Sequence, residues 1–229
     1  MRQTPGPRNN VSILAAGALF ALSAQAFAAS GSDGATGHDH EHSEEHAHDH
    51  GDDDIYNGYF DDDQIKARDL SDWEGDGQSV YPLLQDGTLE EVMAHKAEHG
   101  DMTAAEYTGY YLTGYATDVD RILIKGDSVI FFRDGEPVQG RYEDDGHEVL
   151  TYEAGNRGVR YIFEKAGGDA EAPGFIQFSD HAIAPTDAGH FHLYWGDDRA
   201  ALLEEVTNWP TYYPADLSGE EVAHEMMAH

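Results

Sequence analysis

The sequence predicts a mainly β domain with flanking helices: an antiparallel barrel or sandwich with helical segments before and after it. Three observations carry this. Between Thr117 and Trp195 the chain breaks into short runs rich in β-branched and aromatic residues, separated by turn dipeptides at fairly regular intervals. On either side, capping boxes open runs whose apolar residues recur at helical spacing. Ahead of both lies a tract with almost nothing apolar to bury, which cannot offset its ordering entropy and belongs to no packed domain.

Taken in order, Arg2 and Arg8 form a short positive region, Val11 to Leu22 is small and apolar, and Ala26-Phe27-Ala28 has the small-x-small pattern of a cleavage site. Residues 1–28 therefore read as a secretory signal peptide, cleaved after Ala28 or, alternatively, Ala26. Its apolar run is too short for the roughly 20 residues that span a bilayer, and no later segment is apolar enough. Residues 29–54 form a low-complexity tail carrying His38, His40, His42, His46, His48 and His50 among eight Asp and Glu between Asp39 and Asp54. Disorder without metal is expected, and such His-rich tracts bind transition metals weakly. Residues 55–229 form the domain.

From Ile55 to Leu112 the reading is helical. Asp61 to Asp72 holds one or two short helices. Thr88-Leu89-Glu90-Glu91 is a capping box leading Leu89, Val92, Met93 and Ala97, with Gly100 ending the run; Thr103-Ala104-Ala105-Glu106 is a second, opening a helix through Tyr107, Tyr110 and Tyr111. Seven strands follow: Val119–Lys125, Ser128–Arg133, Val138–Tyr142, Glu148–Glu153, Gly158–Lys165, Phe175–Asp180 and His190–Trp195. Gly126-Asp127, Asp134-Gly135, Asp145-Gly146 and Gly155-Asn156 are the turns between them. Ala200–Val206 returns to helix, Asn208–Pro214 is an irregular aromatic linker, and Ser218-Gly219-Glu220-Glu221 caps a last helix through Met226 and Met227.

The chain has no cysteine and a formal charge of −32, from 45 acidic and 13 basic residues. Such a chain lacks the clustered Lys and Arg that grip nucleic-acid phosphates, and it attracts cations. Metal ligands must be His, Asp or Glu, which favours zinc, copper or nickel on nitrogen.

His190-Phe191-His192 is the sharpest local feature. Side chains two apart on a strand share a face, roughly 7 Å apart, so two neutral imidazoles can converge on one ion while Phe191, Leu193 and Trp195 pack the opposite face against a covering helix. His181, at the end of the preceding strand, is the best third ligand, and three imidazoles with one open position suit zinc. Water, a tail histidine, Asp197, Asp198 or Glu204 are candidates for the fourth position. His95 and His99 have an i, i+4 spacing that can bind metal but read as surface residues. His224 and His229 read as an exposed terminal helix, and His147 as a turn residue.

Leu70-Ser71-Asp72-Trp73, Gln78-Ser79-Val80-Tyr81-Pro82-Leu83-Leu84, Gly114-Tyr115-Ala116-Thr117-Asp118, Gly158-Val159-Arg160-Tyr161, Ile176-Gln177-Phe178-Ser179-Asp180-His181, His190-Phe191-His192 and Asn208-Trp209-Pro210-Thr211-Tyr212-Tyr213-Pro214 together resemble the ZinT (YodA) family of periplasmic zinc- and cadmium-binding proteins, from about Gly58 to His229. The resemblance implies a calycin-type, lipocalin-like antiparallel barrel with N-terminal and C-terminal helices. It implies metal ligands at His181, His190 and His192, a mobile His-rich N-terminal segment, and service to the substrate-binding component of a zinc ABC importer when zinc is scarce. Relatives of this kind carry two cysteines able to bridge neighbouring strands; here Gly140 and Lys165 stand in those regions.

The leading expectation is a periplasmic zinc buffer or chaperone and no enzyme, the tail capturing metal loosely and passing it to the barrel site at high effective concentration. Zn2+ is the expected ion, with Cd2+, Ni2+ and Cu2+ as alternatives. Two other classes compete. A three-histidine zinc can activate water for hydration or hydrolysis, and His190-Phe191-His192 with Trp195-Gly196 is similar over a few residues to the zinc strand of animal-type carbonic anhydrases. A barrel can also carry a small apolar ligand. Zinc uptake by the domain without its tail separates the binding role from the carrier, and zinc-dependent hydration or ester cleavage separates it from the enzyme.

Overall fold

The computed structural model describes residues 54–152, 155–204 and 207–228; the stretch expected to be a signal peptide, the histidines of the tail and His229 lie outside the described residues. Eight antiparallel strands close into a barrel in simple meander order: β1 (Gly75–Ser79), β2 (Arg121–Lys125), β3 (Ser128–Arg133), β4 (Glu136–Thr151), β5 (Arg157–Gly168), β6 (Phe175–Ser179), β7 (Phe191–Gly196) and β8 (Thr211–Pro214). The ring is completed by β8 on β1, with Gly77 opposite Pro214 and Ser79 opposite Tyr212. Helices α1 (Tyr81–Gln85), α2 (Glu90–His99) and α3 (Ala104–Gly114) fill the connection from β1 to β2, and α4 (Gly219–Ala228) follows β8. This is the expected lipocalin-like barrel; three of its α-helices follow β1 rather than preceding the barrel, and the fourth follows its last strand.

The period-2 alternation of the strands divides the core in two. Ile122, Ile124, Val129, Phe131, Tyr161, Phe163, Phe178, Phe191, Leu193 and Tyr212 are buried together inside the barrel, filling the interior as an eight-stranded barrel allows. The second core lies on the outer wall, where Tyr194, Trp209 and Tyr213 meet Val92 and Met93 of α2, Tyr111 of α3 and Val222 and Met226 of α4. Gly77 faces inward at the closure: an added Cβ there would meet Tyr212 Cβ at 3.4 Å and Phe191 Cζ at 3.6 Å.

Six of the eight strands coincide with sequence-predicted ones, and four readings are corrected. β1, in a stretch read as helical, has the sequence Gly-Asp-Gly-Gln-Ser and buries only Gly77 and Ser79, so no apolar alternation announces it. β8 lies in the stretch read as an irregular linker, where paired tyrosines between two prolines masked its two faces. Val138–Tyr142 and Glu148–Glu153 belong to one 16-residue strand, β4. Gly146, with φ of 81°, sits in an irregularity between Asp144 and His147 rather than in a hairpin turn, so His147 is a strand residue, its ring 5.9 Å from Tyr161. Thr88 caps nothing: its backbone N–H and hydroxyl both donate to Asp86 Oδ1, and Leu89 takes the N-cap position. The boxes at Thr103–Glu106 and Ser218–Glu221 do form. Of the helix expected over Ala200–Val206, a 3-10 turn at Ala201–Leu203 is present, and residues 205–206 lie outside the described residues.

Candidate metal centre

His181, His190 and His192 come together where β6 ends and β7 begins. Their ring centroids form a nearly equilateral triangle, 6.1 Å from His181 to each of the others and 6.4 Å between His190 and His192. Three imidazoles around one zinc, at bonds of about 2.0–2.1 Å, place their centroids roughly 5–5.5 Å apart. A closure of about an ångström between rings would bring the triangle to that size.

His192 is the anchored member. It occupies β7 opposite Ser179 on one side and Thr211 of β8 on the other. Its neighbours Phe191 and Leu193 turn into the barrel, so His192 faces the outer wall. This corrects the expectation that the apolar face of β7 meets a covering helix: that face lines the barrel interior, and the helical layer covers Tyr194 on the other side. His192 Nδ1 lies 2.8 Å from Thr211 Oγ1, and that hydroxyl donates its own proton to the carbonyl of Trp209 at 2.9 Å. The hydroxyl therefore accepts from the ring, Nδ1 carries the proton, and the lone pair sits on Nε2. Burial, the two neighbouring histidines and Arg160 hold the His192 pKa well below the usual histidine value, which keeps the ring neutral and able to ligate.

The other two rings are set by stacking and by loop geometry. His181 adopts φ of 67°, a left-handed conformation uncommon for a residue with a side chain. Its ring stacks on Tyr56 at 4.4 Å with 20° between planes. His181 Nδ1 lies 3.3 Å from the Tyr56 carbonyl, which can only accept, so this ring too carries its proton on Nδ1. His190 lies just ahead of β7 and stacks on Tyr213 of β8 at 4.9 Å and 9°. Tyr213 and Thr211 are placed by the chain before them: Asn208 Nδ2 donates to the carbonyls of Thr113, Gly114 and Ala116 at the end of α3. Trp209 lies so close over Gly114 that an added Cβ there would come within 2.3 Å of its ring.

The loop between His181 and His190 is held by a residue that sequence reasoning missed. Arg68 is 2 % exposed and spends its guanidinium on four partners: Asp72 Oδ2 at 2.7 Å, Asp180 Oδ1 at 2.6 Å, and the carbonyls of Thr186 at 2.8 Å and Ala182 at 3.4 Å. It lies over the ring of Trp73 at 4.2 Å. Asp72 in turn accepts from the backbone N–H of Thr186 through Oδ2, and from that of Ala188 through its carbonyl. Burial alone would lower the guanidinium pKa; Asp180 and Asp72 more than offset it and raise it. Arg68 thus ties the start and middle of the loop, and Asp72 its later part, to the 3-10 helix Leu70–Trp73.

Among the described residues, the structure does not bring the other sequence candidates here. Asp197 and Asp198 follow the far end of β7, roughly 15–20 Å of strand from His192. Asp197 accepts from Gly174 N–H and Asp198 from the N–H groups of Ala200 and Ala201. Glu204 lies further along the same segment. His95, His99 and His224 are exposed on α2 and α4.

Comparison with known proteins adds the following. A family model described as ZinT (YodA) periplasmic lipocalin-like zinc-recruitment matches residues 51–229. A protein of Bacillus subtilis (strain 168) named probable metal-binding protein YrpE is 63 % identical over 176 residues, covering 76 % of this chain and 70 % of that one. The zinc-binding protein AdcA of Streptococcus pyogenes serotype M1 is 55 % identical over 180 residues, again covering 76 % of this chain but only 35 % of its own length. Among solved structures, the Zn(II)-bound ZinT-like domain of Streptococcus pneumoniae AdcA superposes with a TM-score of 0.73 at 48 % identity, covering 76 % of this chain and 97 % of that domain.

Proposed function

The chain belongs to the ZinT (YodA) family of periplasmic lipocalin-like zinc-recruitment proteins, and on that premise we propose that it binds zinc outside the cytoplasm and serves zinc uptake and homeostasis when zinc is scarce. Zinc is then cargo rather than a resident cofactor. The observation that carries this reading is the triangle of His181, His190 and His192, with the His181 and His192 rings oriented by acceptors at Nδ1. A neutral imidazole fixed in this way by the partner of its other nitrogen is the usual arrangement of a metal-binding histidine.

Within this reading the three histidines hold the ion on Nε2, with a fourth position left to water or to a histidine of the tail. His38, His40, His42, His46, His48 and His50 supply weaker, exchangeable sites that raise the local metal concentration. Cadmium, nickel and copper also accept nitrogen ligands and are expected to compete. The relatives are named for binding metal, and this chain is read as a binding protein, with no catalytic step assigned. In the AdcA relatives the matched region is about a third of a longer zinc-binding chain, which supports a partner component, the substrate-binding part of an importer, as the recipient of the zinc.

The test is a competition titration against a zinc chelator, with stoichiometry read by native mass spectrometry. The wild-type chain should hold one tight equivalent and several weak ones. His181→Ala, His190→Ala and His192→Ala should each lose the tight equivalent with unchanged circular dichroism, whereas removing residues 30–54 should lose only weak ones. A tight equivalent that survives His190→Ala would sink the three-histidine assignment, and one that vanishes with the tail would mean the tail supplies an essential ligand.

A further inference from the structure

A second group of donors lies on the helical layer. Near the C-terminal end of α2, His95, Glu98 and His99 are all exposed, and one ligand atom from each falls within 4.8 Å of the other two. Ligand atoms around a zinc or similar ion, at bonds of about 2.0–2.2 Å, are roughly 3–3.5 Å apart; exposed side chains on one helical turn close that gap by small rotations. The geometry points to a second, exchangeable site for a borderline divalent transition-metal ion, held by His95, Glu98 and His99.

Three features separate this cluster from a chance pair of surface histidines. The rings of His95 and His99 are 4.7 Å apart at 46°, so they already lie side by side. His99 Nδ1 lies 3.0 Å from the carbonyl of His95. A carbonyl only accepts, so His99 carries its proton on Nδ1 and keeps its lone pair on Nε2, the same tautomer that His181 and His192 adopt. Finally, His99 is the last residue of α2, where the unsatisfied carbonyls concentrate negative potential and a bound cation is favoured. The basic residue nearest in sequence, Lys96, is turned away, its ammonium 5.6 Å from the ring of Tyr111 on α3. Two imidazoles with one carboxylate select zinc, copper, nickel or cobalt over magnesium and calcium, which prefer oxygen alone. With three protein ligands on a solvent-facing turn, the site leaves positions for water and exchanges readily.

This assignment is independent of the three-histidine centre. Zinc is titrated into the full chain while the imidazole resonances of individual histidines are followed by long-range 1H–15N NMR. His95 and His99 should shift together once the first equivalent is bound, and saturating magnesium should leave them unmoved. Glu98→Gln should move their midpoint to higher zinc, and the double variant His95→Ala, His99→Ala should lose one weak equivalent by native mass spectrometry with the fold unchanged. Zinc that saturates the rest of the protein without moving either ring would overturn the proposal, as would magnesium producing the same shift.

Discussion

The hydroxyl of Thr211 has one proton and gives it to the Trp209 carbonyl, so toward His192 it can only accept. That fixes which nitrogen of His192 faces outward, and it makes Thr211 testable by a near-isosteric change. Thr211→Val leaves a buried N–H with no acceptor, a loss of about 1–3 kcal/mol, and removes the group that fixes the tautomer. Zinc affinity in a chelator competition should fall about 10–100-fold, and wild-type affinity in this variant would show that the pairing does not matter to binding. His192 itself sets a pH dependence in the metal-free protein. Burial and the neighbouring His181, His190 and Arg160 lower the His192 pKa in the fold, whereas the unfolded chain titrates near the ordinary value of about 6.5. Below that value the unfolded state binds a proton that the fold refuses, so the contribution of this residue to stability is complete above it and declines as the pH falls. The histidines themselves were legible in the sequence, because H-x-H fixes a shared face and His181 ends the adjoining strand. Thr211, Tyr56 and Tyr213 were not: their roles depend on strand register and on a contact over 125 residues of chain, neither of which a local pattern encodes.

Elements, not single residues, decide where the loop from His181 to His190 lies, and Arg68 is the link between them. Its ion pair with Asp180 is buried on both sides, with side chains 0 % and 2 % exposed. Removing one partner from a buried pair leaves the other charge uncompensated, at about 3–5 kcal/mol. Arg68→Ala should lower the urea midpoint by a corresponding amount and weaken zinc binding as the loop loosens; Arg68→Lys, which keeps the charge but not the forked geometry, should fall between. An unfolding free energy for Arg68→Ala within about 1 kcal/mol of wild type would remove the arginine from this role. Sequence reading could not find this clamp, since an arginine among surface acids looks solvated and its partner Asp180 is 112 residues away. The strands were legible where alternation is strong, as in Arg-Ile-Leu-Ile-Lys of β2. They were hidden at β1 and β8, the two that close the barrel, because glycine and serine fill the inward positions of one and prolines bound the other. The cysteine regions suggested by the family resemblance are secured differently here: Lys165 Nζ donates to the Ala172 carbonyl at 2.6 Å, and the ring of Tyr142 lies over Gly140.

For the whole molecule, metal binding and folding are linked, because an ion that binds only the native state stabilises it. Protons and zinc compete for the same nitrogens, and this competition grows as the pH falls below about 6. The melting temperatures of the zinc-bound and metal-free chains should therefore differ most near neutral pH and converge in acid. A zinc-induced increment that stays constant from about pH 7.5 to 4.5 would point to carboxylate rather than imidazole ligands. With a formal charge of −32, the chain draws cations from a distance, and added salt should slow zinc capture. The last point concerns the wall on which the histidines stand. His192 faces outward from a barrel whose interior is filled with aromatic and aliphatic side chains, so an ion reaching it never passes through the apolar centre. Reaching the three histidines therefore requires no opening of the strands. Under the proposed function, a donor of this build hands zinc to its acceptor without opening the barrel.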